Sequence, residues 1–128
     1  MPSKPALEMI SEGGVKNDAG KPRLGLLPSA ALTEIAQVFT YGAHKYAEHN
    51  WRRGLKWSRL YDALQRHLTA WNEGEETDPE SDLPHLAHAG CCLLMLLAYG
   101  ADPAVYSQLD DRWSREPAEH TPRPRKGC

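Results

Sequence analysis

The sequence has few cysteines, no long apolar run and almost no net charge, and each scarcity excludes a class of protein. Three cysteines, with Cys91 and Cys92 adjacent, cannot build a disulfide framework, so we expect a reducing, cytoplasmic compartment. The longest apolar stretch, Cys91 to Tyr99, is far shorter than the roughly 18 residues of a membrane helix. Residues 1–14 lack the apolar core of a secretory signal. A formal net charge of −2 argues against dedicated nucleic-acid binding.

What remains is the composition of one globular domain. The 128 residues, 41% apolar and 25% charged, are enough to bury a core but few for two domains. Neither end shows an apolar period, and prolines interrupt the C-terminal one. We therefore expect a flexible segment over residues 1–14, one domain over 15–113, and a flexible basic tail over 114–128.

Apolar spacing at i, i+3, i+4 and i+7 predicts two amphipathic helices in the first half of the domain. The first spans about 29–46 and the second about 58–71. Ser29 and Ser58 are plausible N-caps, because a serine hydroxyl can accept a bond from a free N–H of the first turn. Gly74 is expected to end the second helix.

A third helix is predicted to begin near Ser81 or Asp82 and to run to Gly100. It is apolar almost all round, so we expect it to be the central, most buried helix. A weaker helix over 103–113 and a short extended stretch over 24–27 are also expected. No segment alternates convincingly as a strand would, so the fold class is an all-α, small helical bundle. Three helices give so apolar a third helix little cover, which predicts a homodimer or tetramer through the second or third helix.

The third predicted helix opens with two histidines that share a face. His85 and His88 are i, i+3 neighbours, and two such imidazoles can bind one divalent ion if carboxylates complete the ligand set. The preceding run, residues 73–82, holds six acids in ten residues, of which Asp78 and Glu80 are the best candidates. The alternative is a histidine pair with ordinary water and backbone partners beside a solvated loop.

One ridge of the first predicted helix carries Glu34, Tyr41 and Lys45 beside the core stripe. The functional interpretation is a metal-binding carboxylate with a phosphate-binding lysine further along. The alternative, a solvated flank of an amphipathic helix, is the more common case. His67 lies in the apolar stripe of the second helix beside Arg66, where it is either a hydrogen-bonded core residue or a functional group.

Cations and an aromatic group complete the candidate set. Lys16 and Lys21 flank a glycine in a loop that could wrap phosphates, although the spacing is not that of a Walker A loop. Asn50 and Trp51 could hydrogen-bond and stack on a base, whereas ordinary packing is the commoner role of such a tryptophan. Phosphoryl transfer needs both metal and cations, to neutralise phosphate oxygens and to hold the leaving group.

Five segments of this chain occur in one recognisable order: KNDAGKPR (16–23), YGAHKY (41–46), NW (50–51), RH (66–67) and LPHLAHA (83–89). Together they resemble the phage dATP/dGTP diphosphohydrolase N-terminal domain family, which is similar to MazG-like all-α nucleoside triphosphate pyrophosphohydrolases. The resemblance covers about residues 15–99.

The resemblance implies an oligomeric helical bundle that cleaves a purine deoxynucleoside triphosphate to the monophosphate and pyrophosphate with Mg²⁺ or Mn²⁺. A phage origin would place it in the host cytoplasm. MazG-like enzymes hold metal with a Glu-x-x-Glu pair and a later Glu-x-x-Asp pair. Here the first pair reads Glu34 to Gln37, and His85 and His88 replace the second. The alternatives are a catalytically silent nucleotide- or metal-binding module and a structural helical protein.

The expected site follows from these observations. The expected metal ligands are Glu34, His85 and His88, assisted by Asp78 or Glu80. The expected triphosphate-binding cations are Lys16, Lys21, Lys45 and Arg66. Asn50 and Trp51 are expected to contact the base. His67 is expected to orient a ligand or to transfer a proton, and Glu34 and His67 are the expected catalytic residues.

Overall fold

A computed structural model describes residues 10–114, and every regular element within that range is helical. The all-α bundle predicted from the sequence is confirmed. A single isolated bridge, between Thr77 and Pro84, is the β-type pairing found among these residues. The α-helices are α1 (Ser29–Lys45), α2 (Trp57–Asn72), α3 (His85–Ala101) and α4 (Pro103–Tyr106). The 3₁₀ turns are Leu24–Leu26, Asn50–Arg53 and Ser107–Leu109.

The predicted flexible segments 1–14 and 114–128 lie mostly outside the described residues. Two other expectations are corrected. The stretch 24–27 is mainly a 3₁₀ turn rather than extended chain, and the weak helix over 103–113 shortens to α4 and the turn that follows it. Among the described residues no single helix is long and apolar enough to cross a membrane. Two helical ranges, His85–Ala101 and Pro103–Leu109, together have the length and apolar composition of a membrane span, and by these two criteria only. The chain is bent by 97° where they meet.

The first turns of α1 and α2 are not capped as predicted. Pro28 and Lys56 occupy the N-cap positions, so Ser29 and Ser58 are helical residues. For α2 the capping acceptor comes from far along the chain. The carboxylate of Asp111 accepts bonds from the backbone N–H of Ser58 at 2.9 Å and from its hydroxyl at 2.5 Å. A negative charge suits this position, because the free N–H groups give a helix N-terminus partial positive charge.

α3 is the central helix, as its sequence predicts. It packs against α1 through a cluster that joins Cys91 to Val38, and against α2 through one that joins Cys92 to Leu64. Successive helical residues are about 100° apart, so adjacent cysteines can face two different neighbours. Both thiols are buried and free.

Tyr99, near the end of α3, is the most deeply buried large side chain and fixes the segment between α1 and α2. Its hydroxyl donates to the carbonyl of Trp51 at 2.5 Å and accepts from the N–H of Leu55 at 3.1 Å. Its ring contacts those of Trp51, Trp57 and Tyr106. The segment between α1 and α2, residues 46–56, is therefore anchored to the core although its only regular element is a 3₁₀ turn.

The end of α2 shows why Gly74 is glycine, and confirms it as the end signal. Gly74 has a φ of 99°, a conformation that costs glycine little. Its N–H bonds to the carbonyl of Trp71, and the N–H of Glu75 bonds to the carbonyl of Ala70, both at 3.0 Å. This pair of bonds is the Schellman motif, and it reverses the chain towards α3.

The returning chain forms a short hairpin that leads directly into α3. Beside the Thr77–Pro84 bridge, the N–H of Asp78 bonds to the carbonyl of Leu83, and the N–H of His85 bonds to that of Glu76, both at 2.9 Å. The acidic run is thereby folded back over the first turn of α3 instead of extending into solvent.

Candidate functional site

Three donor side chains from separate parts of the chain meet beside the first turn of α3. His67 of α2, Asp78 of the hairpin and His85 of α3 each offer a ligand atom within 4.8 Å of the others. The Nδ1 atoms of the two histidines are 2.9 Å apart, and Nδ1 of His67 is 3.9 Å from Oδ2 of Asp78. All three residues are at least partly buried. Within residues 10–114 no other group of three such donors meets this criterion.

The chemistry of this donor group fits a divalent ion. Two nitrogens 2.9 Å apart would subtend about 90° at an ion roughly 2.1 Å from each, an ordinary angle between adjacent metal ligands. Imidazole suits transition metals and carboxylate suits both these and Mg²⁺, whereas Mg²⁺ prefers oxygen ligands throughout. Two histidines and one aspartate therefore fit Mn²⁺ better than Mg²⁺.

The electrostatics favour neutral rings beside an ionised acid. Burial, reinforced by the neighbouring His88, lowers the pKa of His67 to about 4. Burial also lowers the pKa of His88. For Asp78 burial acts to raise the pKa. Hydrogen bonds from the backbone N–H groups of Glu80 and Ser81, with the attraction of His88 whenever that ring is protonated, outweigh burial and hold the pKa below its ordinary value. At neutral pH His67 thus offers an imidazole lone pair and Asp78 a carboxylate, which are the forms that bind metal.

His88 lies beside the donor group rather than in it. Its ring stacks on that of His67, with centroids 4.5 Å apart and planes 8° apart. Its Nε2 is 2.6 Å from the hydroxyl of Ser81, which also accepts the N–H of Leu83. The structure therefore groups His85 with His67 and Asp78, whereas the expected partner His88 pairs with a serine.

The donor group lies in the wall of a cavity of about 1140 Å³. This is slightly above the roughly 300–1,000 Å³ typical of small-molecule sites, and it leaves room for a nucleoside triphosphate. The cavity brings together most of the residues that the sequence singled out. Those that line it are Lys45, Asn50, Trp51, Arg66, His67, Asp78, Glu80, His85 and His88.

Glu34, Lys16 and Lys21 are exposed and are not among the residues that line this cavity. Glu34 is thus not among the residues that the structure groups with His85. Glu34 lies on the same ridge of α1 as Tyr41, but seven residues earlier, which is about 10 Å away along the helix axis. The two lysines lie ahead of α1, before the Leu24–Leu26 turn.

Glu80 binds a lysine instead of joining the donor group. Its carboxylate accepts hydrogen bonds from the ammonium of Lys45 and from the hydroxyl of Tyr41, the latter at 3.2 Å. The bond from Lys45, with that from Tyr41, lowers the pKa of Glu80, and the same bond raises the pKa of Lys45. Lys45 is thus a cation at the cavity wall with an exposed carboxylate as its present partner.

Trp51 has a packing role in the structure. Its ring meets Phe39 edge-on at 6.2 Å between centroids and lies 5.9 Å from Tyr99. The guanidinium of Arg52 covers it at 4.6 Å. Because Trp51 also lines the cavity, a planar ligand could reach it at an edge or replace Arg52 on its face.

The comparison with known families decides where the chain belongs. Residues 11–112 match the family described as dATP/dGTP diphosphohydrolase, N-terminal. The chain belongs to this family. A dATP/dGTP diphosphohydrolase of Salmonella phage PMBT28 is 39% identical over 83 residues, which are 65% of this chain and 28% of that protein. The matched region therefore spans well under half the length of that relative. No solved structure matches it significantly.

Two polar residues that contact the site were not identified from the sequence. Glu75 accepts a bond from His85, with 2.7 Å between Oε1 and Nε2, and Ser81 pairs with His88. Glu75 follows the helix-ending Gly74, so its place in the turn was derivable. Which of the six acids reaches His85 was not, because that depends on the register of the hairpin.

Proposed function

We propose that the chain hydrolyses a purine deoxynucleoside triphosphate, dATP or dGTP, to the monophosphate and pyrophosphate. The divalent ion, Mn²⁺ or Mg²⁺, would be held by His67, Asp78 and His85. The observation that carries the proposal is that these donors open onto the same cavity as Lys45 and Arg66. Metal ligands beside cations are what a polyphosphate substrate requires. The substrate class comes from the name of the phage relative.

An ion held by these residues would supply positive charge beside the phosphate oxygens and would lower the pKa of a water at the reacting phosphorus. Arg66 is exposed at the cavity wall and can bind phosphate oxygens in pairs. Lys45 can bind a phosphate oxygen if that oxygen replaces the carboxylate of Glu80, its partner in the structure. His88, whose lowered pKa keeps it neutral, can accept a proton from the attacking water.

The base of the substrate would lie at the opposite wall, against Asn50 and Trp51. The amide of Asn50 can distinguish one base from another by hydrogen bonds. The indole of Trp51 can contact the base at its edge, or stack on the base at the face that Arg52 now covers. We place the reaction in the cytoplasm, where deoxynucleotide pools and reduced thiols such as Cys91 are found.

The test is to incubate the protein with each of the four deoxynucleoside triphosphates, with Mn²⁺ or Mg²⁺, and to separate products by anion-exchange chromatography. We expect monophosphate and pyrophosphate in equal amounts, faster with purines and with Mn²⁺. Asp78→Asn should abolish most of the activity because it removes the one charged donor. Asp62→Asn, on an exposed part of α2, is the matched control. Absence of pyrophosphate from all four nucleotides with both metals would contradict the proposal.

A nucleotide- or metal-binding module without turnover is the second candidate. It is favoured by Gln37, which stands where a MazG-like enzyme has its second carboxylate, and by the pairing of Lys45 with Glu80. The matched region is also only 28% of the phage relative. This candidate predicts a rise in melting temperature with dATP or dGTP and Mn²⁺ while the nucleotide remains intact.

A further inference from the structure

The contact between Glu75 and His85 stands out among the polar contacts near the donor group. His85 is almost fully buried, with 5% of its side chain exposed, whereas Glu75 is 54% exposed. Their closest atoms, Nε2 and Oε1, are 2.7 Å apart, the length of a strong charge-assisted hydrogen bond. A solvated carboxylate therefore reaches inward to a buried ring on the side away from the metal-facing nitrogen.

The direction of the proton in this contact follows from the chemistry of the two groups. An ionised carboxylate has no proton to donate, so Nε2 of His85 must carry the hydrogen. In a neutral ring Nδ1 is then unprotonated, and its lone pair points at Nδ1 of His67, 2.9 Å away. His85 is thus held in the one neutral tautomer that can offer Nδ1 to an ion shared with His67 and Asp78.

The backbone places both partners before the hydrogen bond forms. The Schellman motif at Gly74 fixes Glu75 through its N–H bond to Ala70. The hairpin fixes His85 through the bond from its N–H to the carbonyl of Glu76 at 2.9 Å. Because two independent backbone restraints meet here, little backbone freedom remains to be lost when the carboxylate engages the ring, and only the side-chain rotamers must still be fixed.

The neighbouring acids of the same run have other partners. Asp78 is a donor of the metal group, and Glu80 binds Lys45. Glu76 contributes its carbonyl to His85, and its side chain is exposed. Glu75 is therefore the acid of this hairpin whose charge acts on a metal-facing ring through the opposite nitrogen.

We propose that Glu75 is a positioning residue, which fixes the tautomer and the orientation of His85 and strengthens its binding to the metal ion. The proposal rests on the metal site of the proposed function. Carboxylate partners of metal-binding histidines raise the basicity of the ring, and their loss weakens metal binding about 10- to 100-fold.

The tautomer can be measured without metal and without substrate. In protein labelled with ¹⁵N-histidine at pH 8, long-range ¹H–¹⁵N spectra report which ring nitrogen carries the proton. We expect the Nε2–H form of His85 in the wild type and in Glu75→Gln, whose amide oxygen still accepts the bond. We expect a mixture of tautomers in Glu75→Ala. Glu76→Gln is the matched control and should leave the spectrum of His85 unchanged.

Metal affinity is the second readout, measured as free Mn²⁺ by electron paramagnetic resonance. Glu75→Ala should bind Mn²⁺ about 10- to 100-fold more weakly, and Glu75→Gln should lie between that variant and the wild type. Glu76→Gln should match the wild type. Rescue by glutamine separates positioning from a general effect on folding.

The results distinguish failure of this inference from failure of the proposed reaction. An unchanged tautomer and an Mn²⁺ affinity within about twofold of the wild type in Glu75→Ala would overturn the positioning role, even if hydrolysis is found. Altered tautomer and affinity in a protein that hydrolyses no nucleotide would uphold the role and reject the reaction. If Glu75→Ala does not fold, the wild type decides, because a proton on Nδ1 of His85 at pH 8 overturns the proposal.

Discussion

Removal of the Tyr99 hydroxyl should destabilise the fold far more than a single atom suggests. The hydroxyl bonds to the carbonyl of Trp51 and to the N–H of Leu55, and the residue is completely buried. In Tyr99→Phe the N–H of Leu55 loses its partner, which costs about 1–3 kcal/mol for a buried donor. The carbonyl of Trp51 keeps a bond from Gly54 and should add only about 1 kcal/mol. The expected loss is about 2–4 kcal/mol.

Urea unfolding followed by circular dichroism measures this loss, and Tyr106→Phe is the matched control. The hydroxyl of Tyr106 donates to the carbonyl of Arg52 at 2.7 Å in an exposed position, where water can replace it. The control should lose less than about 1 kcal/mol, although its ring stacks on Tyr99. Equal losses in the two variants would refute the assignment of Tyr99 as the anchor of this segment. A raised KM for nucleotide in Tyr99→Phe would link the anchor to Trp51 in the cavity.

Three further predictions concern packing, pH and assembly. A Cβ at Gly90 would lie 2.7 Å from Cδ1 of Ile35, whereas a Cβ at Gly42 would meet open space. We therefore expect Gly42→Ala to gain roughly 1 kcal/mol from helix propensity and Gly90→Ala to gain nothing, which the urea midpoints of the two variants would show. The pKa of about 4 for His67 in the fold, against 6.5 when unfolded, makes protons favour the unfolded chain. This contribution to stability, up to about 3 kcal/mol, is fully present above pH 6.5 and should be lost as the pH falls towards 4. His67→Asn should lose less stability over the same range, and equal pH dependence of the unfolding free energy in the variant and the wild type would contradict this. We propose that the exposed leucine face of α3 contacts a second copy of the chain. Leu97→Glu, which changes a side chain that is 66% exposed, should lower the mass measured by light scattering without loss of helicity. A monomeric wild type would reject the proposal.

The sequence predicted what local periodicity controls. Apolar spacing identified α1, α2 and α3 and made α3 the central helix, because its sequence offers apolar contacts to both neighbours. Gly74 as an end signal is also confirmed, since a left-handed conformation after a helix strongly selects glycine.

Contacts between distant residues could not be read in the same way. Asp111 caps α2 from 53 residues away, and no rule of local spacing connects it to Ser58. The ridge of α1 was drawn correctly, since Tyr41 and Lys45 both meet Glu80. The position of the cavity along that ridge depends on where the hairpin meets α1. Periodicity does not contain this information, so it could not show that Tyr41 and Lys45 line the cavity and Glu34 does not.

The hairpin between α2 and α3 determines how negative charge is divided between the two walls of the cavity. Asp78 and Glu80 are two residues apart, and Oδ1 of Asp78 accepts the N–H of Glu80 at 2.7 Å. Asp78 lies against the imidazoles of α2 and α3, whereas Glu80 reaches across to Lys45 of α1. Phosphate oxygens could replace Glu80 at Lys45 because both are anionic acceptors and Glu80 is exposed. They could not replace Asp78 without removing one of the proposed metal donors. An entering polyphosphate is therefore expected to displace Glu80 and to leave Asp78 in place.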